Sequence, residues 1–270
     1  MGKRDIVGNG NSNWVSLKTL STPYHSRKNG NPCLLLSSIK KQFLFGGMRH
    51  RRGVITFQMK KAIVLFSGGL DSTTVLYYAL SKGYKCHCLI FDYGQKHGKE
   101  IRSAVKIAKL VKAAHSVIKV SLPWLKDSLT DKNKKVPVRK TITDIIPSTY
   151  VPGRNTLFLS FALSYAQSIN ADSIFIGVNS VDFSNYPDCT PEFIKAYGNV
   201  LKALKTKITL KTPIAKMSKA QIINLGIKLN VPYKYTWTCY NGYKNPCGKC
   251  DSCKLRAKGF KEAGIKDTIG

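Results

Sequence analysis

Acidic residues are scarce in this chain: 14 Asp and Glu stand against 44 Lys and Arg, a formal net charge of +30 over 270 residues. Such a field attracts polyanions, so a nucleic-acid partner has to be weighed. The cations are not gathered into one block, however, and most are Lys, which lacks the forked donor geometry of Arg. Ten of the 44 basic residues and one of the 14 acidic ones lie in the first 58 positions, leaving 34 and 13 for the rest. Also missing is any apolar run approaching the roughly 20 residues that cross a bilayer, which argues against a membrane span. The chain start lacks the long apolar region of a secretory signal, although its basic character is shared with organelle transit peptides. The eight cysteines, at 33, 86, 88, 189, 239, 247, 250 and 253, make a poor disulfide framework in a chain able to bury a full core. A reducing cytoplasm fits them better.

Residues 1–58, rich in Asn, Gly, Ser and Lys, show no convincing periodicity and are expected to be a disordered extension. From Lys61 onward, strand and helix patterns alternate. Strands are predicted at 61–66, 85–92, 114–120 and 173–177, with helices at 71–82, about 97–112 and 154–170. A polar stretch at 121–150, with prolines at 123, 137 and 147, interrupts them. Alternation of this kind predicts an α/β fold, a doubly wound parallel sheet with helices on both faces and ligands beyond the carboxyl ends of its strands. We divide the ordered part into a nucleotide-binding body at 59–210 and a C-terminal segment at 211–270. The latter should contain a helix from Ser218, its N-cap, to Leu229 and a short basic helix around 254–260.

The most informative local feature is Ser67-Gly68-Gly69-Leu70-Asp71-Ser72-Thr73-Thr74, between the apolar run Ala62–Leu65 and a helix. Adjacent glycines let a backbone approach a phosphate closely, and the helix beyond presents unpaired N–H groups and the positive end of its dipole. It is not the Walker pattern, because no Lys follows the second Gly. The C-terminal third holds a second signal, Cys239-x7-Cys247-x2-Cys250-x2-Cys253. Four thiolates at this spacing satisfy tetrahedral Zn2+ with no vacant position, so the ion would be a structural staple. An iron–sulfur cluster is the alternative.

The string SGGLDSTT resembles the pyrophosphate-binding loop of ATP pyrophosphatases. With FDYGQKH, VPGRNTLFLSFA, DFSNYPDC, PIAKMSKAQI, TWTCY and CGKCDSCKLRAKGF following in order, the chain from about Lys60 to Gly264 closely resembles the 7-cyano-7-deazaguanine synthase family of the queuosine pathway. The resemblance implies a sheet of the adenine-nucleotide α-hydrolase type and a ligase that turns 7-carboxy-7-deazaguanine, ammonia and ATP into the nitrile. ATP would activate the carboxylate, ammonia would displace it to give an amide, and a second activation would drive loss of water. The partners implied are ATP with Mg2+, the deazapurine and ammonia, with a homodimer expected and no membrane or obligatory nucleic acid.

On that resemblance, Phe66, Ser67, Gly68, Gly69, Leu70, Asp71, Ser72, Thr73, Thr74, Val75 and Leu76 form the ATP-binding segment. Asp71 would orient the loop or help hold Mg2+, or simply favour a helix start. Tyr93 and Gln95 offer a stacking surface and an amide to a purine-like ring. His97 is either an acid–base group or a cap, and Arg154, beside Asn155 at a helix start, either clamps an anion or makes a surface ion pair. Asp182 or Asp188 would accept from the donor edge of the deazaguanine with Tyr186 stacking, unless these carboxylates serve turns and N-caps. The competing enzyme class is an ATP pyrophosphatase that thiolates tRNA, for which Cys189 would be the catalytic thiol.

Overall fold

The structure, a computed structural model, describes residues 59–124, 127–131, 133–137, 146–180 and 186–269. The extension at 1–58 and the loop position Asp182 lie outside the described residues. The described residues form five strands, β1 Lys61–Leu65, β2 Lys85–Asp92, β3 Ala114–Lys119, β4 Ser173–Phe175 and β5 Thr209–Lys211. They pair in parallel throughout, in the order β3-β2-β1-β4-β5. The helices are α1 Leu70–Ser81, α2 Lys99–Leu110, α3 Arg154–Ser168, α4 Pro191–Ala203, α5 Lys219–Lys228 and α6 Asp251–Glu262.

β1 shows why the sheet is buried on both sides. Its side chains alternate between faces, and both sets are apolar, so the strand reads as a continuous hydrophobic run. Ala62 and Val64 enter a core with residues of α1, α2, α5 and α6, including Leu76, Ile107, Ile223 and Phe260. Ile63 and Leu65 enter the opposite core with Leu159 and Leu163 of α3 and Leu201 of α4. The sheet is thus doubly wound, as the alternating pattern implies. β5 is a strand that pattern does not signal: three residues at the sheet edge, with one inward position, are too short for a period of two to show.

Local chemistry sets the helix ends. Ser218 caps α5 in a capping box, its hydroxyl accepting from the Gln221 N–H at 3.3 Å while the Gln221 side chain accepts from the Ser218 N–H at 2.8 Å. Thr190 caps α4 by accepting from the Phe193 N–H at 3.1 Å. Buried polar contacts tie the C-terminal segment to the body and brace it internally. The hydroxyls of Thr74 and Tyr233 meet at 2.9 Å, and Arg256 on α6 donates through two nitrogens to the Asp267 carboxylate, at 2.6 and 2.8 Å. The same guanidinium donates to Thr236 Oγ1 at 2.7 Å.

Arg256 is 4% exposed, so removing its carboxylate partner strands a cation in the interior. Asp267→Ala is expected to lower the unfolding free energy by about 3 kcal/mol in denaturant melts. A loss within the roughly 0.5 kcal/mol of an ordinary surface change would contradict this assignment.

Candidate active site

The carboxyl ends of β1, β2 and β4 open onto a cavity of about 320 Å³. Its floor is the glycine turn after β1. Gly68 has φ +77°, and a Cβ there would lie 2.4 Å from the Ala104 nitrogen, so the turn packs directly on the backbone of α2. The Ser67 and Ser72 hydroxyls sit 3.0 Å apart, and the Gly69 N–H points to Ser67 Oγ at 3.3 Å. Phe66, Ser67, Gly69, Leu70, Asp71 and Ser72 line the cavity. Thr73, Thr74, Val75 and Leu76 instead run into the buried side of α1, with Thr73 Oγ1 donating to the Gly69 carbonyl at 2.7 Å. They hold the loop rather than face the opening.

Charge at the loop is supplied by Lys219, whose ammonium contacts both oxygens of Asp71 at 2.8 Å. The Asp71 carboxylate is therefore committed to a cation carried by α5. Opposite, Tyr93 and Gln95 follow β2. The Gln95 amide folds back on its own turn, accepting from Tyr93 N–H at 2.9 Å and donating to the Phe91 carbonyl at 3.1 Å, so its polar atoms shape the turn. Arg154 opens α3 and donates to the Tyr93 hydroxyl at 3.2 Å. Among the described residues it has no carboxylate within ion-pair distance. Burial acts against its charge, but Tyr93, Tyr186 and Asp188 more than compensate and raise its pKa, so it stays a cation.

Asp188 and Asn155 form a structural unit across 33 positions. Asp188 Oδ2 accepts from the Asn155 N–H at 3.0 Å, and the Asn155 side chain donates to the Asp188 carbonyl at 2.9 Å. Asp188 thus supports the N-terminus of α3, where anionic charge is favoured, while the cap of α4 falls to Thr190. Tyr186 hydrogen-bonds Thr149 at 2.8 Å and lines the cavity with Tyr240, Trp237 and the stacked pair Phe91 and Phe158, whose centroids are 3.9 Å apart. Cys189 also lines it, but burial and the adjacent Asp188 push its thiol up to about 12, too high for a reactive thiolate near neutral pH. His97 is set back from this cavity. Its Nε2 lies 3.2 Å from the Cys239 carbonyl, and burial lowers its pKa.

The sequence singles out neither of two lining residues: Glu100 falls outside the quoted strings, and Trp237 lies within TWTCY without a role of its own. Glu100, in the first turn of α2, faces the cavity, and burial raises its carboxyl to about 7. In the sequence it is one more acidic residue at a helix start. Trp237 closes the wall between loop and cysteines: its backbone N–H donates to the Gly68 carbonyl at 3.0 Å and its indole N–H to the Cys239 carbonyl at 2.9 Å.

The sulfur atoms of Cys239, Cys247, Cys250 and Cys253 lie within 4.8 Å of one another. Backbone N–H groups of Asn241 and Cys247 point at Cys239 Sγ, and those of Lys249 and Cys250 at Cys247 Sγ, between 3.3 and 3.5 Å. Donors aimed at sulfur stabilise thiolate ligands and orient them. The neighbouring Cys250 and Cys253 thiols hold the Cys239 thiol well below its ordinary range, while the same cluster pushes Cys253 upward. Four thiols this close can all ionise only around a cation, so the donor set fits a four-coordinate metal.

A glycine turn at the carboxyl edge of a doubly wound sheet, with a cationic, aromatic-walled cavity above it and a four-cysteine metal segment beside it, defines a nucleotide-binding α/β enzyme. The chain belongs to the family described as Queuosine biosynthesis protein QueC, whose model matches residues 61–264. It is 50% identical over 218 residues to the 7-cyano-7-deazaguanine synthase of Thermoplasma volcanium, covering 78% of this chain and 90% of that protein. The synthase of Acetivibrio thermocellus is 49% identical over 219 residues, covering 78% and 97%. A distant likeness, with 19% identity and a TM-score of 0.44 over 75% of this chain and 53% of the other, is to a 4-thiouridine synthetase in complex with RNA and ATP.

Purified protein is expected to carry one equivalent of metal by elemental analysis. Cys250→Ser should release most of it and expose the Trp237 wall to quencher. Full metal occupancy in that variant would contradict the four-sulfur site.

Proposed function

We propose that this protein is an ATP-dependent ligase converting 7-carboxy-7-deazaguanine and ammonia into 7-cyano-7-deazaguanine in queuosine biosynthesis. The observation that carries the reading is the family match, which runs unbroken from β1 through the glycine turn and the cavity to the four cysteines. The tRNA-thiolating alternative loses support at Cys189, whose thiol stays protonated.

The residues present suit the chemistry. A carboxylate oxygen is a poor leaving group until it is phosphorylated or adenylated, so the task is positioning and charge stabilisation. Ser67, Gly69 and Ser72, with the first turn of α1, would bind the phosphates of ATP beside the Lys219–Asp71 ion pair. Mg2+ would enter on those phosphates rather than on Asp71, because the Asp71 carboxylate is already held by Lys219. Its contribution when bound is to neutralise charge on the transferring group. Tyr93, Tyr186 and Tyr240 would sandwich the deazapurine, and Arg154, which has no carboxylate partner among the described residues, would take the substrate carboxylate through paired donors. Zn2+ on the four cysteines would contribute on the order of 10 kcal/mol to folding of the C-terminal segment and leave no site for water. We read the protein as a cytoplasmic homodimer, with residues 59–210 as its nucleotide-binding body and 211–270 as its metal-held segment.

Incubation of full-length protein with ATP, Mg2+, ammonium and 7-carboxy-7-deazaguanine should yield the nitrile by mass. A tRNA-dependent release of AMP with no nitrile would overturn the reading. Arg154→Lys keeps the charge but loses the fork, and should lower kcat/KM for the carboxylate roughly 100-fold, about 2.7 kcal/mol. An unchanged value would remove Arg154 from the carboxylate site.

A further inference from the structure

Beside the main cavity lies a second one of about 50 Å³, lined by Tyr93, Gln95, Lys96, His97, Glu100, Leu129, Arg154 and Tyr240. It shares Tyr93, Gln95, Glu100, Arg154 and Tyr240 with the main cavity, so the two adjoin. A water molecule occupies roughly 30 Å³ in the liquid, and ammonia is of similar size, so the chamber takes a very small ligand and excludes a nucleotide or a deazapurine.

Its chemistry favours a donor. The Nε2 of His97 faces a carbonyl, which only accepts, so Nε2 carries the proton and Nδ1 is left as an acceptor. That Nδ1 is buried and has no hydrogen-bond partner among the described residues. The Glu100 carboxyl makes no hydrogen bond among the described residues and lines both chambers. The rings of Tyr93 and Tyr240 complete the wall, and aromatic faces attract small cations.

We propose that this side chamber is the ammonium site of the reaction, with Glu100 as the catalytic base that converts bound ammonium into the attacking ammonia. The inference rests on the ligase reading above. One proton passes from ammonium to a Glu100 carboxylate oxygen. The freed lone pair forms the C–N bond to the activated carboxyl carbon, and the C–O bond to the phosphoryl group breaks, its electron pair leaving with the phosphate. The nitrogen then loses a second proton to that leaving oxygen, giving the neutral amide. Burial lifts the Glu100 carboxyl to about 7, with Arg154 opposing the rise, and the other titratable groups around the chamber are Tyr93, Tyr240, His97 and Lys96. A base poised near neutrality suits such a transfer.

The test compares ammonium chloride with hydroxylamine, which is largely unprotonated at neutral pH and needs no base. Full-length wild type and Glu100→Gln are assayed with ATP, Mg2+ and 7-carboxy-7-deazaguanine, measuring amide plus nitrile from ammonium and hydroxamate from hydroxylamine. Glu100→Gln should lose about 100-fold or more in kcat/KM for ammonium while hydroxamate formation stays within about threefold of wild type. Equal loss with both amines, or no loss with ammonium, would overturn the assignment of Glu100. A second variant, Leu129→Phe, fills the chamber and should raise KM for ammonium about tenfold without moving KM for the carboxylate; an unmoved ammonium KM would remove the chamber as the site. Wild type that forms neither nitrile nor hydroxamate would instead bring down the ligase reading itself.

Discussion

A single backbone hydrogen bond, from the Trp237 N–H to the Gly68 carbonyl at 3.0 Å, joins the phosphate-type loop to the cysteine segment. Gly68 can present that carbonyl only because its φ of +77° and missing Cβ let the turn lie on the backbone of α2. The bond is reinforced from the other side. The Cys239 carbonyl receives both the Trp237 indole N–H and the His97 ring, and the Lys99 ammonium lies 4.3 Å from the centre of the Trp237 ring. The floor of the cavity, the first turns of α2 and the metal segment are therefore one connected assembly. Its rigidity depends on the cluster of sulfurs that fixes Cys239.

Within the cavity, charges divide into those already satisfied and those left available. Asp71 with Lys219 and Asp267 with Arg256 are close ion pairs that give the loop and the C-terminal segment their positions. Arg154 and Glu100 have no such partners among the described residues, and burial and neighbouring groups tune both: the first remains a cation, the second titrates near 7. A site that activates one carboxylate and supplies one amine needs one fixed cation and one adjustable base, and these two side chains meet that need. The formal charge of +30 does not enter this account, since the cations that matter are individually placed.

The framework was legible because its signals are local. An apolar strand followed by adjacent glycines, four cysteines within fifteen positions and a Ser–x–x–Gln capping box each declare themselves in a few residues. What stayed hidden depends on distance. Asp188 serves α3 rather than α4 because the fold brings it to Asn155, and no neighbouring residue announces that. Glu100 acquires its chemistry from burial beside Arg154, which lies 54 positions on. Trp237 belongs to the string TWTCY, but its role shows only in the fold, where its N–H groups reach Gly68 and Cys239. Thr73 to Leu76 belong to the same expected ATP-binding segment as Ser67 and Gly69 yet point into the core, because the helix that begins at Leu70 turns them away.

If metal, Trp237 and loop form one assembly, metal binding and nucleotide binding must be thermodynamically coupled. The direct measurement is calorimetric titration of a non-hydrolysable ATP analogue into full-length protein, metal-loaded and then stripped with chelator. The account expects stripping to weaken binding about tenfold, a coupling near 1.4 kcal/mol, with Zn2+ restoring it. Equal affinity in the two forms would contradict it.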